Sequence, residues 1–166
     1  MTGFRRAGAA YVLSAVLALA AAGCATAEPQ AADKAATVVH VVDGDTFDVE
    51  FADGTVERVR PPQIDTPEVD ECGYEESSAA LQELVLGEDV ALFPTEHGPD
   101  QDPYGRLLRT AEVDGEDVGR LLVRAGFARW VPRYADEDPR LAASYETAEQ
   151  RAREGEVGFW SSCGWK

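Results

Sequence analysis

The chain has 166 residues, 31 of them acidic and 15 basic, for a formal net charge of −16. A surface of that sign repels nucleic acid at long range, which excludes a broad electrostatic grip on a phosphate polymer. Lysine occurs only as Lys34 and Lys166, so a phosphate site here has to be local and built from a few arginines.

The first six residues include Arg5 and Arg6, and an apolar run follows from Ala7 through Ala22. The run is short and alanine-rich for a membrane span but suits the h-region of a signal peptide, so residues 1–23 are expected to be a leader. Its end, Leu19-Ala20-Ala21-Ala22-Gly23-Cys24, resembles the bacterial lipobox, although Ala21 stands where leucine is usual. Two outcomes follow from this stretch: acylation of Cys24, or plain cleavage near Ala25 to Ala27. Lipidation would anchor the chain to a membrane, stably so with two or more acyl chains. Loss of Arg5 and Arg6 with the leader would take the net charge to −18. Residues 24–36 lack apolar periodicity and are expected to form a flexible tether. Residues 37–166 then fit one domain with one modest core.

Val38-Val39-His40-Val41-Val42 predicts a buried strand that ends at Asp43-Gly44. Phe47, Val49 and Phe51 alternate with Thr46, Asp48 and Glu50 as a half-buried second strand. Ala52-Asp53-Gly54 turns the chain into a third strand over Thr55 to Arg60. Beyond a loop from Pro61 to about Glu75, Leu81, Leu84 and Val85 recur at helical spacing, with Ser77 or Ser78 as cap and Gly87 as stop. Val90 to Phe93 and Arg106 to Val113 predict two further strands. Asp117 is expected to cap a helix carrying Val118, Leu121, Leu122 and Ala125. Asp138-Pro139 opens a last helix with Leu141, Tyr145, Ala148 and Ala152 on one stripe. Phe159, Trp160 and Trp165 are expected to dock the C-terminus on the barrel. Five short strands with a helix between the third and fourth give an α+β chain, mostly barrel: an OB-fold with three helices.

Cys72 and Cys163 remain besides Cys24. Export favours a disulfide between them, closing a loop of 91 residues. Zinc is the poorer partner, since only His40 and His97 could join them and neither stands at ligand spacing.

Chemistry concentrates in three short stretches. Asp43-Gly44-Asp45-Thr46 puts carboxylates on a turn. Arg60-Pro61-Pro62-Gln63-Ile64-Asp65-Thr66-Pro67-Glu68 carries a cation and two carboxylates, and Tyr104-Gly105-Arg106 adds a second guanidinium. Each alone reads as an ordinary turn, loop or strand start. Together, hard oxygen donors and two planar, permanently charged guanidiniums suit a phosphate bound beside a divalent ion.

In this order the three stretches resemble the staphylococcal nuclease (thermonuclease) family over about Val38 to Trp160. The resemblance implies an OB-fold endonuclease that uses calcium to cleave DNA and RNA phosphodiesters to 3′-phosphates. It assigns Asp45 and Asp65 as calcium carboxylates, with the Thr66 backbone carbonyl as a further ligand. Glu68 would be general base or water-positioner, and Arg60 and Arg106 would hold the phosphate. Tyr104 and Tyr134 would line the nucleotide pocket, although Tyr134 reads equally as rim packing. A monomer acting on single-stranded or fraying nucleic acid, exported to the outer face of the cell membrane as a lipoprotein or secreted, is the expectation.

Two departures from the family pattern stand out. Pro61-Pro62 removes two backbone donors directly after Arg60, which predicts a bulged or shifted strand there. The loop carrying Asp100 and Asp102 is acidic where a nuclease would profit from lysines, which predicts weaker substrate binding. The rival readings are an OB-fold that binds nucleic acid without cutting, and a surface lipoprotein whose acidic face meets a protein partner.

Overall fold

The structure is a computed structural model describing residues 32–134 and 138–166, and of Tyr134 the backbone alone. The expected leader, Cys24 and most of the expected tether over 24–36 lie outside the described residues. The tether ends earlier than expected: Lys34–Ala36 already belong to a strand, paired with Leu92, Ala91 and Val90, and the Asp33 N–H donates to the Leu92 carbonyl.

That strand, β1 (Lys34–Asp43), runs into β2 (Thr46–Glu50) and β3 (Val56–Arg60) as an antiparallel meander. The inner face is set by Val38, Phe47, Val49 and Val59, each 1 % exposed or less. Two register shifts in β1, between Val38 and His40 and between Val41 and Asp43, bend the strand. It can thereby pair with β2 along one half and with β5 along the other.

A two-residue strand, β4 (Ile64–Asp65), leads to helix α1 (Tyr74–Val85) and then β5 (Asp89–Pro94). Ser77 and Ser78 sit inside α1 rather than capping it, both donating to the Tyr74 carbonyl. The chain enters the helix through Gly73, at φ 96°, where the Phe159 ring would lie 2.5 Å from any Cβ. Only glycine fits both that angle and that contact.

Strand β6 (Leu107–Val113) is antiparallel to β5, and β7 (Glu116–Asp117) lies on its outer edge. β6 also pairs in parallel with β3, Val59 opposite Leu107 and Arg60 opposite Leu108. This pairing closes the ring β1-β2-β3-β6-β5 into a five-stranded barrel, the OB-fold of an α+β domain.

Helix α2 (Val118–Arg124) is capped by Asp117, whose carboxylate accepts from the Arg120 N–H at 3.0 Å and from the Tyr145 hydroxyl at 2.7 Å. Strand β8 (Arg129–Trp130) pairs with β4, a 3-10 turn spans Pro132–Tyr134, and α3 (Pro139–Glu154) and α4 (Phe159–Ser162) end the chain. A short fourth helix thus joins the three expected. Tyr145, Ala148 and Ala152 of α3 are buried, whereas Leu141 is half-buried.

The C-terminus does not dock on the barrel wall. Phe159 packs edge-on to Phe127 just after α2 and to Trp165, and Cys163 is bonded to Cys72 just before α1. This segment buries two large side chains, Phe159 and Trp160, on the order of 3–6 kcal/mol of apolar burial. A bridge closing 91 residues adds up to about 4–5 kcal/mol on the chain-entropy model, comparable with the whole of that packing.

Candidate active site

Barrel closure places the three chemistry-bearing stretches at one rim. β3 ends at Arg60, and Arg106 immediately precedes β6, which pairs with it. The turn between β1 and β2 supplies Asp45. The loop after β3 returns as β4 with Asp65.

Gly44 is what lets the two acidic segments meet. A Cβ at this position would lie 2.4 Å from Ser77 Oγ and 2.8 Å from Thr66 Oγ1. Any larger residue would push the Asp45 turn off α1 and off the Thr66 loop.

The polar side chains form one chain of contacts. Arg60 Nε lies 3.0 Å from Asp45 Oδ1, and its Nη2 lies 3.5 Å from Asp65 Oδ1. The Thr46 hydroxyl donates to the same Asp45 oxygen at 3.0 Å, and Arg106 Nη1 donates to Thr46 Oγ1 at 3.5 Å. Arg106 is further held by Asp102, with Nε 2.6 Å from Oδ2. Tyr104, 85 % exposed, lies with its ring centroid 5.5 Å from the Arg106 guanidinium. Beside it, a cavity of about 410 Å³ is lined by Tyr104, Gly105 and Arg106 together with Asp48, Glu57 and Arg58.

The prolines after Arg60 do not shift it. Arg60 keeps its register with Leu108, and Pro61 and Pro62 end the strand one residue later, both buried and in trans. Pro61's carbonyl accepts a hydrogen bond from Arg60 Nη1 instead.

The acidic loop is also less negative than its sequence suggests. Asp102 takes N–H donations from Tyr104 and Arg106 besides the Arg106 side chain. Burial works to raise its pKa, but these donors outweigh it and hold the carboxyl below the usual range. Asp100 is paired with the buried Arg109.

Asp45 is the perturbed group of the site. It is 8 % exposed, and its pKa is raised to about 6. Burial is the first cause, and the charges of Asp43 and Asp65 add to it. Arg60 and the Thr46 hydroxyl oppose the rise without cancelling it. Burial, more than the neighbouring carboxylates, therefore sets the state of this carboxylate.

Thr66 is buried at 8 % exposure. Glu68 is exposed on the same loop. Its backbone N–H donates to Glu71 Oε2 at 2.9 Å, and its carboxylate has no hydrogen-bond or ion-pair partner among the described residues. The Tyr134 side chain lies outside the described residues.

Sequence reasoning left Thr46 and Gly44 unassigned, although both stand in the Asp43-Gly44-Asp45-Thr46 stretch. Thr46 is the link between the two arginines, and its place on the polar face of β2 was the available signal.

An OB-type barrel with two arginines and two carboxylates linked at one rim defines a class of phosphate-handling domain. The family model described as "Staphylococcal nuclease homologue" matches residues 58–162. Endonuclease YokF of the SPbeta prophage, from Bacillus subtilis (strain 168), is 33 % identical over 135 residues, covering 78 % of this chain and 45 % of its own. Endonuclease YncB of the same organism is 31 % identical over 135 residues, 78 % of this chain and 63 % of its own. A micrococcal nuclease of Shigella flexneri is 31 % identical over 142 residues, 80 % of this chain and 77 % of its own. The chain thus spans about half to under two thirds of the two Bacillus proteins and most of the Shigella one. It belongs to the staphylococcal nuclease family.

Proposed function

We propose that this chain is a metal-dependent endonuclease that hydrolyses phosphodiesters of single-stranded or fraying DNA and RNA, with calcium as its ion and 3′-phosphate ends as products. The observation that carries this reading is the contact chain Arg106–Thr46–Asp45–Arg60–Asp65 at the barrel rim. The relatives named as endonucleases and as a micrococcal nuclease support it.

The donor set fits a hard divalent ion. Asp45 and Asp65 converge on one guanidinium, and a cation beside them would offset the burial and the neighbouring carboxylates that lift Asp45's pKa. No three acidic, histidine or cysteine side chains form a metal-binding group among the described residues. Asp45, Asp65 and the Thr66 carbonyl would therefore hold the ion with waters completing the shell, as calcium tolerates. When bound, the ion supplies positive charge beside a phosphate oxygen and makes a neighbouring water more acidic.

The chain's own groups do the rest. Arg60 and Arg106 offer planar guanidiniums to two phosphate oxygens and stabilise the charge that grows as the water oxygen bonds to phosphorus. Glu68, exposed and without a partner for its carboxylate among the described residues, accepts that water's proton. The bond from phosphorus to the 5′-oxygen breaks, and that oxygen takes up a proton as the 5′-hydroxyl. Tyr104, at the mouth of its cavity, offers a ring on which a base can stack.

The Cys72–Cys163 bridge supports action in an oxidising compartment, reached by export through the leader and, with Cys24 acylated, on the outer face of the membrane. Residues 25–166 incubated with single-stranded DNA should cut it in calcium and not in chelator. Glu68→Gln should lower the rate by about 10²–10⁴-fold. Tight binding without cleavage would instead assign a binding module, and neither would leave the protein-partner reading.

A further inference from the structure

A second cavity, of about 480 Å³, lies on the other side of Asp65. It is lined by Asp65, Thr66, Pro67, Glu71, Arg129 and Trp165 and walled by the Cys72–Cys163 bridge. Its volume falls in the range of sites that take small organic molecules, about 300–1,000 Å³.

Arg129 stands directly opposite Asp65 in the β4–β8 pair. Residues so opposed send their side chains from the same face, with Cβ atoms about 4.5–5.5 Å apart. β8 is pinned from behind, since the Trp130 N–H donates to Glu149 of α3 at 2.9 Å. The guanidinium does not close onto Asp65. It lies 4.3 Å over the Trp165 ring and 5.8 Å over that of Trp160.

Arg58, Arg60, Arg106, Arg109, Arg120 and Arg140 are each paired with a carboxylate. Of Arg124, Arg129, Arg151 and Arg153, only Arg129 lines the cavity beside Asp65, and like the other three it has no such partner among the described residues. Trp165 keeps it so: the indole is braced edge-on by Phe159 and Trp160, two residues after the bridged Cys163. Glu71, the other charged group facing the cavity besides Asp65 and Arg129, is engaged by the Glu68 N–H. An exposed cation is thus held on an aromatic platform, one strand-pair step from the reacting centre.

We propose that this cavity is a second phosphate subsite, in which Arg129 grips the phosphodiester next along the strand from the one being cut. It rests on the nuclease reading and extends it. A single strand would run from the Tyr104 cavity, across Arg106, Arg60 and Asp45, into the Arg129 cavity. Trp165 is a positioning residue that holds the guanidinium away from Asp65.

The test is the salt dependence of binding to a cleavage-resistant, phosphorothioate-linked hexathymidylate in calcium, read by anisotropy of a terminal dye. Each phosphate contact on a single strand adds about 0.7 to the slope of log K against log salt. Arg129→Met should reduce the slope by about that amount and weaken binding at low salt, with Arg129→Lys restoring most of the slope. Arg124→Met, beside a separate apolar cavity along α1 and α2, should leave both unchanged. An unchanged slope in Arg129→Met, in a protein that still cuts single strands, overturns the subsite and leaves the nuclease standing. A parent protein that neither cuts nor binds single strands removes both.

Discussion

Arg109 and Arg60 lie on adjoining strands of one barrel, and each faces two carboxylates. Arg109, 3 % exposed, meets Asp33 at 3.1 Å, a still closer Asp100, and the carbonyls of Leu108 and Asp100. It ties the start of β1 and the loop before β6 to the barrel. Its guanidinium is buried and its donors are occupied. Arg60 meets Asp45 and Asp65 at the rim, where Asp65 is exposed and the buried Asp45 has a raised pKa. The same pairing is structural where it is shut inside the wall and chemical where it opens at the rim. Carboxylates at an open rim can take up an ion and a phosphate; a cation buried in the wall with its donors engaged cannot.

Removing the Arg109 side chain should have the largest effect. Arg109→Ala leaves Asp100 and Asp33 without their cation and should cost about 3–5 kcal/mol of stability, read from urea unfolding. A variant as stable as its parent would break the comparison on its structural side. Arg60→Ala should act on rate instead, lowering kcat on single-stranded DNA by about 10²–10³-fold, about 2.7–4 kcal/mol. If kcat held and only KM rose, Arg60 would be a binding group rather than a stabiliser of the transition state.

Asp45 sharpens the contrast through pH. Its folded pKa of about 6 lies above the ordinary 3.8, so the fold favours the protonated form. That contribution is fully present below about pH 4 and is lost as pH rises through 6, on the order of 3 kcal/mol. Urea titrations in chelator should show this decline in the parent and not in Asp45→Asn. That variant should be the more stable of the two at pH 7 while losing calcium-dependent cleavage. Calcium should flatten or reverse the parent's decline, because the ion binds the ionised carboxylate.

The smallest effect is expected at Tyr104, whose exposure makes it a stacking surface without a packing role. Tyr104→Ala should weaken single-strand binding by about 1–3 kcal/mol and leave urea stability unchanged. A loss of stability would show that the ring supports the Arg106 turn instead.

Much of this barrel was legible beforehand. Alternating Phe47 and Val49 mark an inner face, Asp117 marks the start of α2, and Cys72 and Cys163 indicate a bridge. Local chemistry dictates each of these. The failures lie where distant contacts override local preference. Ser77 looks like a cap, yet Gly73 takes that end of α1 because Phe159 presses against it. Pro61-Pro62 look disruptive, yet the parallel pair with β6 holds Arg60 in place up to the residue before them. Asp100 and Asp102 look repulsive, yet each has an arginine.

The sequence by itself determined most of the inventory: the five barrel strands and the three longer helices, though not the short β4, β7, β8 and α4, and which carboxylates and guanidiniums are present and in what order. Spacing along the chain carries that information, since periodicity and turn residues act over a few positions. The tertiary structure alone decided which of these groups share a site. Arg60 and Arg106 are 46 positions apart, and they come to one rim because β3 and β6 close the barrel in parallel. Asp65 and Arg129 face one another because β4 and β8 pair. Barrel closure, a condition on the whole sheet, set both.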